Sequence, residues 1–338
     1  MDQQTKVLVT GAGGFIGSHL VTYLKAQGYW VRGVDLKHPE YSKTDADEFE
    51  ILDLRRWDSC LQAMRGGIEE VYALAADMGG MGFISANNAL ILHNNALINL
   101  HTMEAARLSG VKRYLYTSSA CIYPEYLQTD ANVTPLKESD AYPAQPQDAY
   151  GWEKLVTEIL AHYYQQDYGM ETRIVRFHNI FGEKGTWEGG REKAPAAMCR
   201  KIAMAKFTGN PVIEIWGDGE QTRSFCYIDD CVYGIYKLMR SDYNEPLNLG
   251  QDRMVTINQL AEIIAEIAEV KIEPKHIAGP QGVRGRNSDN SQLRKVLGWE
   301  PQISLEEGLA ETYAWIEEQV KHKLEREGVL PTLAMAED

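Results

Sequence analysis

The sequence predicts an α/β protein with a doubly wound parallel, Rossmann-type sheet and a smaller C-terminal α/β lobe. Three observations support this fold class. Short runs rich in β-branched residues alternate with amphipathic stretches, which is typical of strand–helix–strand units and a parallel sheet. A glycine-rich turn separates the first run from the first amphipathic stretch. The alternation becomes less regular after Gly182, where the second region begins.

The first half of the chain supplies the strands and helices of this sheet. Right-handed crossovers between parallel strands place helices on both faces. Helical periodicity predicts helices over 15–27, 87–108 and 149–168. The predicted strands are 6–10, 30–35, 49–53, 71–76, 114–117 and 173–177.

The second half mixes helices with short strands. Glycine and charged residues dominate 183–193. We expect a helix at 195–206, a strand pair at 213–216 and 225–228, and amphipathic helices at 257–268 and 305–319. The expected domains are 1–182, with a return around 226–257, then a lobe at 183–330 and a frayed tail at 331–338.

Composition excludes several classes of partner. The 338 residues carry a formal net charge of -14, and such a surface repels nucleic acid and anionic membranes. No apolar run approaches the ~20 residues that span a bilayer, and no signal peptide is visible. The five cysteines are scattered without a CxxC pair. This pattern predicts free thiols, no metal site and a reducing, cytoplasmic compartment.

The turn at 11–17 is a candidate dinucleotide site because it follows a predicted strand and opens a predicted helix. Glycines let the backbone turn tightly and let a pyrophosphate approach the N–H groups of the helix N-terminus. A turn that serves packing alone is the other interpretation, but the strand and helix around it favour NAD. The expected contacts are Gly11, Gly14, Phe15, Ile16 and Gly17.

Two carboxylates follow the next strands. Asp35 ends the second predicted strand, where it can accept hydrogen bonds from both ribose hydroxyls and repel a 2′-phosphate. This favours NAD over NADP, although Lys37 is close enough to argue the other way. Asp53 ends the third strand and is expected near the adenine.

Tyr150 and Lys154 form a second candidate group. Their spacing puts both side chains on one face of a helix. A nearby ammonium and the positive ring of oxidised NAD favour the phenolate, which lowers the tyrosine pKa from ~10 toward neutrality. Such a tyrosine can take the proton from a sugar hydroxyl during oxidation. The pair alone could be a surface contact, and the glycine turn upstream is what favours catalysis.

Together these motifs resemble the extended short-chain dehydrogenase/reductase family. The resemblance rests on Gly11-x-x-Gly14-x-x-Gly17, on Ser118-Ser119-Ala120, on Tyr150-x-x-x-Lys154 and on the stretch at 223–230, and it covers nearly the whole chain. It implies an enzyme that modifies nucleotide-activated sugars.

Four longer strings narrow the resemblance. ADMGGMGF at 76–83, SSACIYPE at 118–125, GTWEGGREKAP at 185–195 and GVRGRNSD at 282–289 resemble the family of GDP-mannose 3,5-epimerases. That resemblance implies NAD-dependent conversion of GDP-D-mannose to GDP-L-galactose, and to GDP-L-gulose, through transient oxidation at the 4-position. It also implies a homodimer through a helix bundle, to which 87–108 and 149–168 could contribute.

The chemistry of such a reaction calls for a base and an acid. A ketone at the 4-position acidifies the hydrogens on both neighbouring carbons, and inversion needs a base on one face and an acid on the other. Cys121, after the fifth strand, is the candidate base. Lys193, on a glycine-flanked loop, is the candidate acid, and the resemblance assigns the same roles. A buried structural cysteine and a solvated lysine remain the alternatives.

Further residues are assigned to the substrate. Ser119 is expected to bond the reacting hydroxyl. His178 is expected to be a packed residue at a strand end rather than a catalyst. Arg284 is the rival of Arg286 for the nucleotide, to which an arginine fork is suited. The other expected contacts are Gly79, Ala120, Asn179, Glu192, Ala194, Lys201, Gln221, Thr222 and Arg223.

Three alternative functions remain open. A plain 4-epimerase would have no use for Cys121 and Lys193. A 4,6-dehydratase of this family typically has an acidic pair where this chain has Ala120, Cys121 and Ile122. A non-catalytic NAD-binding regulator usually lacks the tyrosine or the lysine, and this chain keeps both.

Overall fold

The computed structural model describes residues 4–329, so the predicted tail lies outside the described residues. The strands are β1 Lys6–Thr10, β2 Trp30–Asp35, β3 Glu48–Ile51, β4 Glu70–Ala73, β5 Arg113–Ser119, β6 Glu171–Phe177, β7 Ile180–Phe181, β8 Val212–Trp216, β9 Thr222–Ser224, β10 Cys226–Tyr227, β11 Pro246–Leu249, β12 Met254–Thr256, β13 Glu273–Ile277 and β14 Gly285–Arg286. The helices are α1 Phe15–Ala26, α2 Trp57–Met64, α3 Met81–Ala86, α4 Asn88–Leu108, α5 Ala149–Tyr168, α6 Ala194–Thr208, α7 Ile228–Arg240, α8 Ile257–Ala268, α9 Ser291–Leu297 and α10 Leu305–Arg326.

Seven parallel strands form the main sheet in the order β11-β6-β5-β4-β1-β2-β3. The order reverses between β1 and β4, which is the switch point where α/β sheets bind ligands. The predicted doubly wound fold is therefore confirmed. None of the helices described is both long and apolar enough to cross a bilayer.

One hydrophobic core joins the sheet to the second lobe. It includes Val7 and Val9 of β1 and Leu20 of α1, all without exposed surface. The same cluster continues through Ile202 of α6 and Leu260 of α8, which are equally buried. The two regions are therefore packed against each other through a shared core.

The two strands predicted at 213–216 and 225–228 are present as β8 and β10, but the prediction that they pair with each other is wrong. β8 pairs in parallel with β13, and β10 pairs in parallel with β7. Each partner is distant in the chain, so local pattern could not identify it. Ile228 does not end a strand but begins α7, which leads back to the main sheet at β11, beside β6.

Candidate active site

A cleft of about 950 Å³ opens at the carboxyl ends of the parallel strands and extends under the second lobe. Its lining includes the glycine turn, the start of α5, the end of β5 and the loop before α6. All the predicted site residues line this cleft with one exception. That exception is Thr222, whose hydroxyl donates to the carbonyl of Ala131 instead.

In the glycine turn at 11–17 the backbone comes so close to neighbouring backbone atoms that only glycine fits at several positions. Gly11 has φ +71°, in the left-handed region. A Cβ on Gly17 would lie 2.0 Å from the Gly11 carbonyl oxygen, and one on Gly13 would lie 2.1 Å from the Lys37 carbonyl oxygen. Gly14 precedes α1 without a side-chain cap, so the first N–H groups of the helix are free to bind an anion. This cradle fits a dinucleotide pyrophosphate.

The carboxylates after β2 and β3 both line the cleft. Asp35 accepts a hydrogen bond from the Gly13 amide over 2.9 Å, which fixes the carboxylate beside the turn. The Lys37 ammonium pairs with Glu40 over 2.8 Å, so a partner already neutralises this nearby cation. Asp53 pairs with Arg55 over 2.7 Å. The hydrogen bond from Arg55 lowers the pKa of Asp53.

Tyr150 and Lys154 lie in the first turns of α5, which Asp148 caps by accepting from the Gly151 amide over 2.9 Å. The Lys154 ammonium donates to the Thr117 carbonyl over 3.0 Å. It also lies 5.4 Å from the centre of the Tyr150 ring. The predicted shared helix face is therefore present.

The protein alone does not lower the pKa of this tyrosine, and the lowering predicted from Lys154 together with oxidised NAD stays a prediction. Burial raises the pKa of Tyr150 well above its usual value, Cys121 and Glu153 add to the rise, and a hydrogen bond with Ser119 opposes it. Burial also lowers the pKa of Lys154. The cause is that both side chains are almost without exposed surface, and desolvation disfavours either charged form.

Cys121 lies in a short 3₁₀ turn at Ala120–Ile122 directly after β5. Its amide donates to the Ser119 hydroxyl over 3.2 Å, and its sulfur accepts from the Arg286 guanidinium over 3.3 Å. Arg286 is itself held by Gln128, whose side-chain oxygen accepts from Nε over 2.6 Å. A half-buried thiol beside an oriented guanidinium is suited to remove a proton, because the cation stabilises a thiolate.

Lys193 is the residue immediately before α6, and its side chain lines the same cleft. Burial lowers its pKa, whereas the nearby sulfurs of Cys121 and Cys231 oppose the shift. A lowered pKa makes the ammonium a stronger acid at neutral pH. Within residues 4–329 the ammonium has no hydrogen-bond partner, so it is free to meet a substrate.

Three of the cations that line the cleft are predicted substrate contacts. Lys201 donates to the Glu214 carbonyl, and burial lowers its pKa. The Arg223 guanidinium donates to the Val283 carbonyl over 2.7 Å, and burial lowers its pKa to about 9. Arg286 is the third. Together they give the acidic protein a basic pocket that suits a nucleotide.

Other predicted contacts line the same cleft. The Asn179 amide donates to the Ser224 carbonyl over 2.9 Å, and the Glu192 carboxylate pairs with Arg200 over 3.0 Å. Gln221 donates to the Trp216 carbonyl over 3.1 Å. The side-chain oxygen of this buried glutamine, Oε1, lacks a partner within the described residues. A buried acceptor without a partner is uncommon in proteins, and Gln221 belongs to the lining of the cleft.

The structure separates two pairs of alternatives. Arg284 pairs with Asp218 at the surface over 2.7 Å and does not line the cleft, unlike Arg286. His178 is fully buried outside the cleft and bonds Asn248 over 3.0 Å. Burial lowers the pKa of His178 to about 3. It is therefore a packed residue, as predicted.

Sequence reasoning missed several polar residues that support the site. Asp77 and Arg191 lie within the strings used for the resemblance and form an ion pair across the cleft rim. Asn95 and Glu153 meet in the buried layer between α4 and α5. The asparagines Asn94, Asn95 and Asn99, which are buried in α4, were a usable signal. No signal in the sequence pointed to Gln128, because it lies in a loop and supports the site only through Arg286, which is distant in the chain.

Comparison with known proteins agrees with this geometry. Residues 7–250 match the NAD dependent epimerase/dehydratase family. The chain is 52% identical over 321 residues to GDP-mannose 3,5-epimerase 1 of Oryza sativa subsp. japonica, covering 94% of this chain and 83% of that protein. The resemblance to GDP-mannose 3,5-epimerases is thereby confirmed.

Solved structures agree as well. UDP-glucose 4-epimerase of Thermotoga maritima, solved with UDP-glucose, superposes with a TM-score of 0.83 at 28% identity, covering 94% of this chain and all of that one (100%). UDP-glucuronic acid 4-epimerase of Bacillus cereus, solved with UDP-glucuronic acid and NAD, gives 0.77 at 26% identity, covering 93% and 100%. The chain therefore belongs to the NAD dependent epimerase/dehydratase family.

Proposed function

We propose that this protein is an isomerase that uses NAD as a recycled cofactor to convert GDP-D-mannose to GDP-L-galactose, with GDP-L-gulose as a second product. One observation carries the proposal. Cys121, the base that would remove a proton from carbon, and Lys193, the acid that would return one, line the same cleft as Tyr150 and Lys154. The identity to a protein named GDP-mannose 3,5-epimerase 1 supports GDP-mannose as the substrate.

The residues present fit NAD. The cradle of Gly11, Gly14 and Gly17 with the N-terminus of α1 would hold the pyrophosphate, and Phe15 and Ile16 line it. Asp35 would hold the ribose. When bound, NAD supplies reversible oxidation at the 4-position of the sugar.

Tyr150 accepts the proton that the sugar hydroxyl loses during the oxidation. Its phenolate takes the proton of the 4-hydroxyl as that carbon becomes a ketone, and Ser119 bonds the same oxygen. The Lys154 ammonium favours the phenolate once the site is filled. On the return step the ketone oxygen takes the proton back from Tyr150, so the tyrosine is unchanged overall.

Cys121 and Lys193 invert the neighbouring carbons. The Cys121 thiolate removes the proton, and the electron pair passes to the ketone as an enolate. The Lys193 ammonium then protonates the carbon on the opposite face. Each inversion leaves a thiol and a neutral amine, which exchange protons with water. Arg286 stabilises the thiolate through its contact with the sulfur.

We also propose the division of labour between the two regions. Residues 1–182, with 226–257, carry the cofactor, and 183–330 carry most of the sugar nucleotide. Lys201, Gln221 and Arg223 would bind the nucleotide, because cations and a free acceptor meet there. Asn179, Gly79, Ala120, Glu192 and Ala194 would line the sugar, whereas Thr222 lies outside the cleft and its carbonyl accepts from Arg223 over 2.7 Å.

The test is incubation with GDP-mannose in heavy water, with NMR of the sugar. Deuterium should appear at the 3- and 5-positions. No deuterium at either would overturn the proposal, and a product inverted only at the 4-position, or a dehydrated one, would replace it with the corresponding alternative. Cys121→Ala should stop the exchange and leave NAD binding intact.

We further propose a homodimer in a reducing, cytoplasmic compartment. α4 and α5 pack side by side and expose apolar residues, including Leu100 at 48% and Val156 at 60%. An apolar patch of this kind is typical of an interface. All five cysteines are free thiols. Leu100→Glu with Val156→Glu should turn a dimer into a monomer in sedimentation, whereas a wild type that sediments as a monomer would refute the dimer.

A further inference from the structure

Two loops meet at the rim of the cleft over the sugar end. One follows β4 and contains Asp77 and Gly80, and the other precedes α6 and contains Arg191 beside Lys193. The Gly80 amide donates to the Arg191 carbonyl over 3.0 Å. A Cβ on Gly80 would lie 2.5 Å from the Glu192 carbonyl oxygen, so the loops touch through their backbones.

Arg191 makes the side-chain contacts of this junction. Its guanidinium pairs with the Asp77 carboxylate over 3.1 Å and donates to the Met78 carbonyl over 3.3 Å. It also lies 3.8 Å from the centre of the Phe83 ring, within range of a cation–π contact. The first two of these contacts go to the loop after β4, and the third goes to α3, which follows that loop.

Asp77 is a rigid anchor because α4 holds it on several sides. Its second carboxylate oxygen accepts from Asn94 over 3.0 Å. Its amide donates to the Asn95 side chain over 2.6 Å, and its carbonyl accepts from the same side chain over 3.1 Å. Asn95 in turn donates to Glu153, the neighbour of Lys154 on α5, over 3.3 Å.

The loop before α6 has its other contacts within its own lobe. The Gly190 amide donates to the Glu192 carboxylate over 2.6 Å, Glu192 pairs with Arg200 over 3.0 Å, and Glu188 pairs with Lys323. Arg191 is therefore the residue whose side chain joins this loop to the segment after β4. Lys193 follows two residues later, and its ammonium has no partner within the described residues.

We propose that Arg191 is a positioning residue for the acid of the reaction, because its contact with Asp77 ties the Lys193 loop to α4 and α5. This inference rests on the proposed function for the role of Lys193. The tie links the loop of the acid to the helix of Tyr150 and Lys154. Arg191 has no role in oxidation at the 4-position, and its loss should affect only inversion.

The first test does not depend on activity. Amide hydrogen exchange of the segment 186–194 should become faster in Arg191→Met, since the tie is lost. Arg253→Met is the matched control, because Arg253 is 51% exposed and paired with Glu306, as Arg191 is 49% exposed and paired with Asp77. Unchanged exchange in Arg191→Met would overturn the proposal whatever the substrate proves to be.

The second test separates positioning from binding. In heavy water with GDP-mannose, Arg191→Met should form inverted products roughly a hundred-fold more slowly, as expected for a misplaced catalytic group. KM should stay within a factor of about two, and deuterium should still enter GDP-mannose through Cys121. Arg191→Lys should restore part of the rate. A raised KM with unchanged kcat would overturn the proposal, because it would make Arg191 a binding residue.

Two further variants complete the test. Asp77→Asn should slow inversion as Arg191→Met does, and the double variant should be no slower than either single one, because both remove the same tie. Gly80→Ala, which leaves both side chains intact, should also slow inversion by pushing the loops apart. Additive losses in the double variant would contradict the tie. If the wild type incorporated no deuterium, the proposed function would fail. The amide exchange would still show whether the contact between Arg191 and Asp77 holds the loop.

Discussion

The Arg286 guanidinium donates to the Cys121 sulfur over 3.3 Å, although 165 residues separate the two in the chain. Gln128 fixes the guanidinium from its other side. A base and the cation that supports it are therefore brought together from β14 and the turn after β5. Under the proposed function, in which Cys121 is the base, this contact gives Arg286 a role in the proton chemistry in addition to its expected role at the nucleotide.

Removing this guanidinium should slow proton removal at carbon. In Arg286→Met we expect deuterium incorporation at saturating GDP-mannose to fall roughly a hundred-fold, within the usual range for acid–base catalysis. NAD binding, followed by fluorescence titration, should be unchanged. Arg284→Met is the matched control, because Arg284 pairs with Asp218 at the surface. Equal losses in the two variants would refute the role of Arg286.

Lys193→Met should separate proton removal from inversion. Cys121 would still remove a proton and return a deuteron to the same face, so deuterium should enter GDP-mannose itself. Inverted products should fall by a factor of roughly a hundred or more, since the acid of the other face is missing. NMR of the recovered sugar nucleotides gives both quantities. Continued formation of GDP-L-galactose would show that Lys193 is not the acid.

Gly17→Ala should weaken the cofactor site. The added Cβ would lie 2.0 Å from the Gly11 carbonyl oxygen, so α1 or the turn must move. Overpacking of this kind costs about 1–3 kcal/mol in the free energy of unfolding, and NAD affinity should fall as well. Gly82→Ala is the control, because its Cβ would make only an ordinary contact at 3.6 Å with Trp216. Denaturant unfolding and NAD titration measure the two effects.

His178 should make the protein less stable in acid. Its pKa is lowered by burial to about 3 in the folded chain, against 6.5 for an exposed histidine. As pH falls below 6.5 the unfolded chain binds a proton that the folded chain does not, so stability falls by about 1.4 kcal/mol per pH unit until the folded pKa is reached. Denaturation at several pH values should show a smaller slope in His178→Gln. His322→Gln, at an exposed position, should keep the wild-type slope.

The sequence by itself determined the alternation of strands and helices and the site elements that lie close together in the chain. The turn at 11–17, its following helix, and the pair Tyr150 and Lys154 depend on local spacing, and the structure has each of them in one element or one turn. The bounds of β1, β2, α5 and α8 were also predictable, because each is a continuous periodic run between turn residues.

Only the tertiary structure decided which distant residues meet. The pairing of β8 with β13, the return of the chain at β11, and the contact of Arg286 rather than Arg284 with Cys121 join segments far apart in the chain. Local pattern also does not predict how deeply a side chain is buried, and burial raises the pKa of Tyr150. Local pattern indicates which residues share a face of a helix or strand. Packing determines which groups that face contacts and how far it is removed from water. The charge state of a side chain depends on its contacts and on its exposure to water.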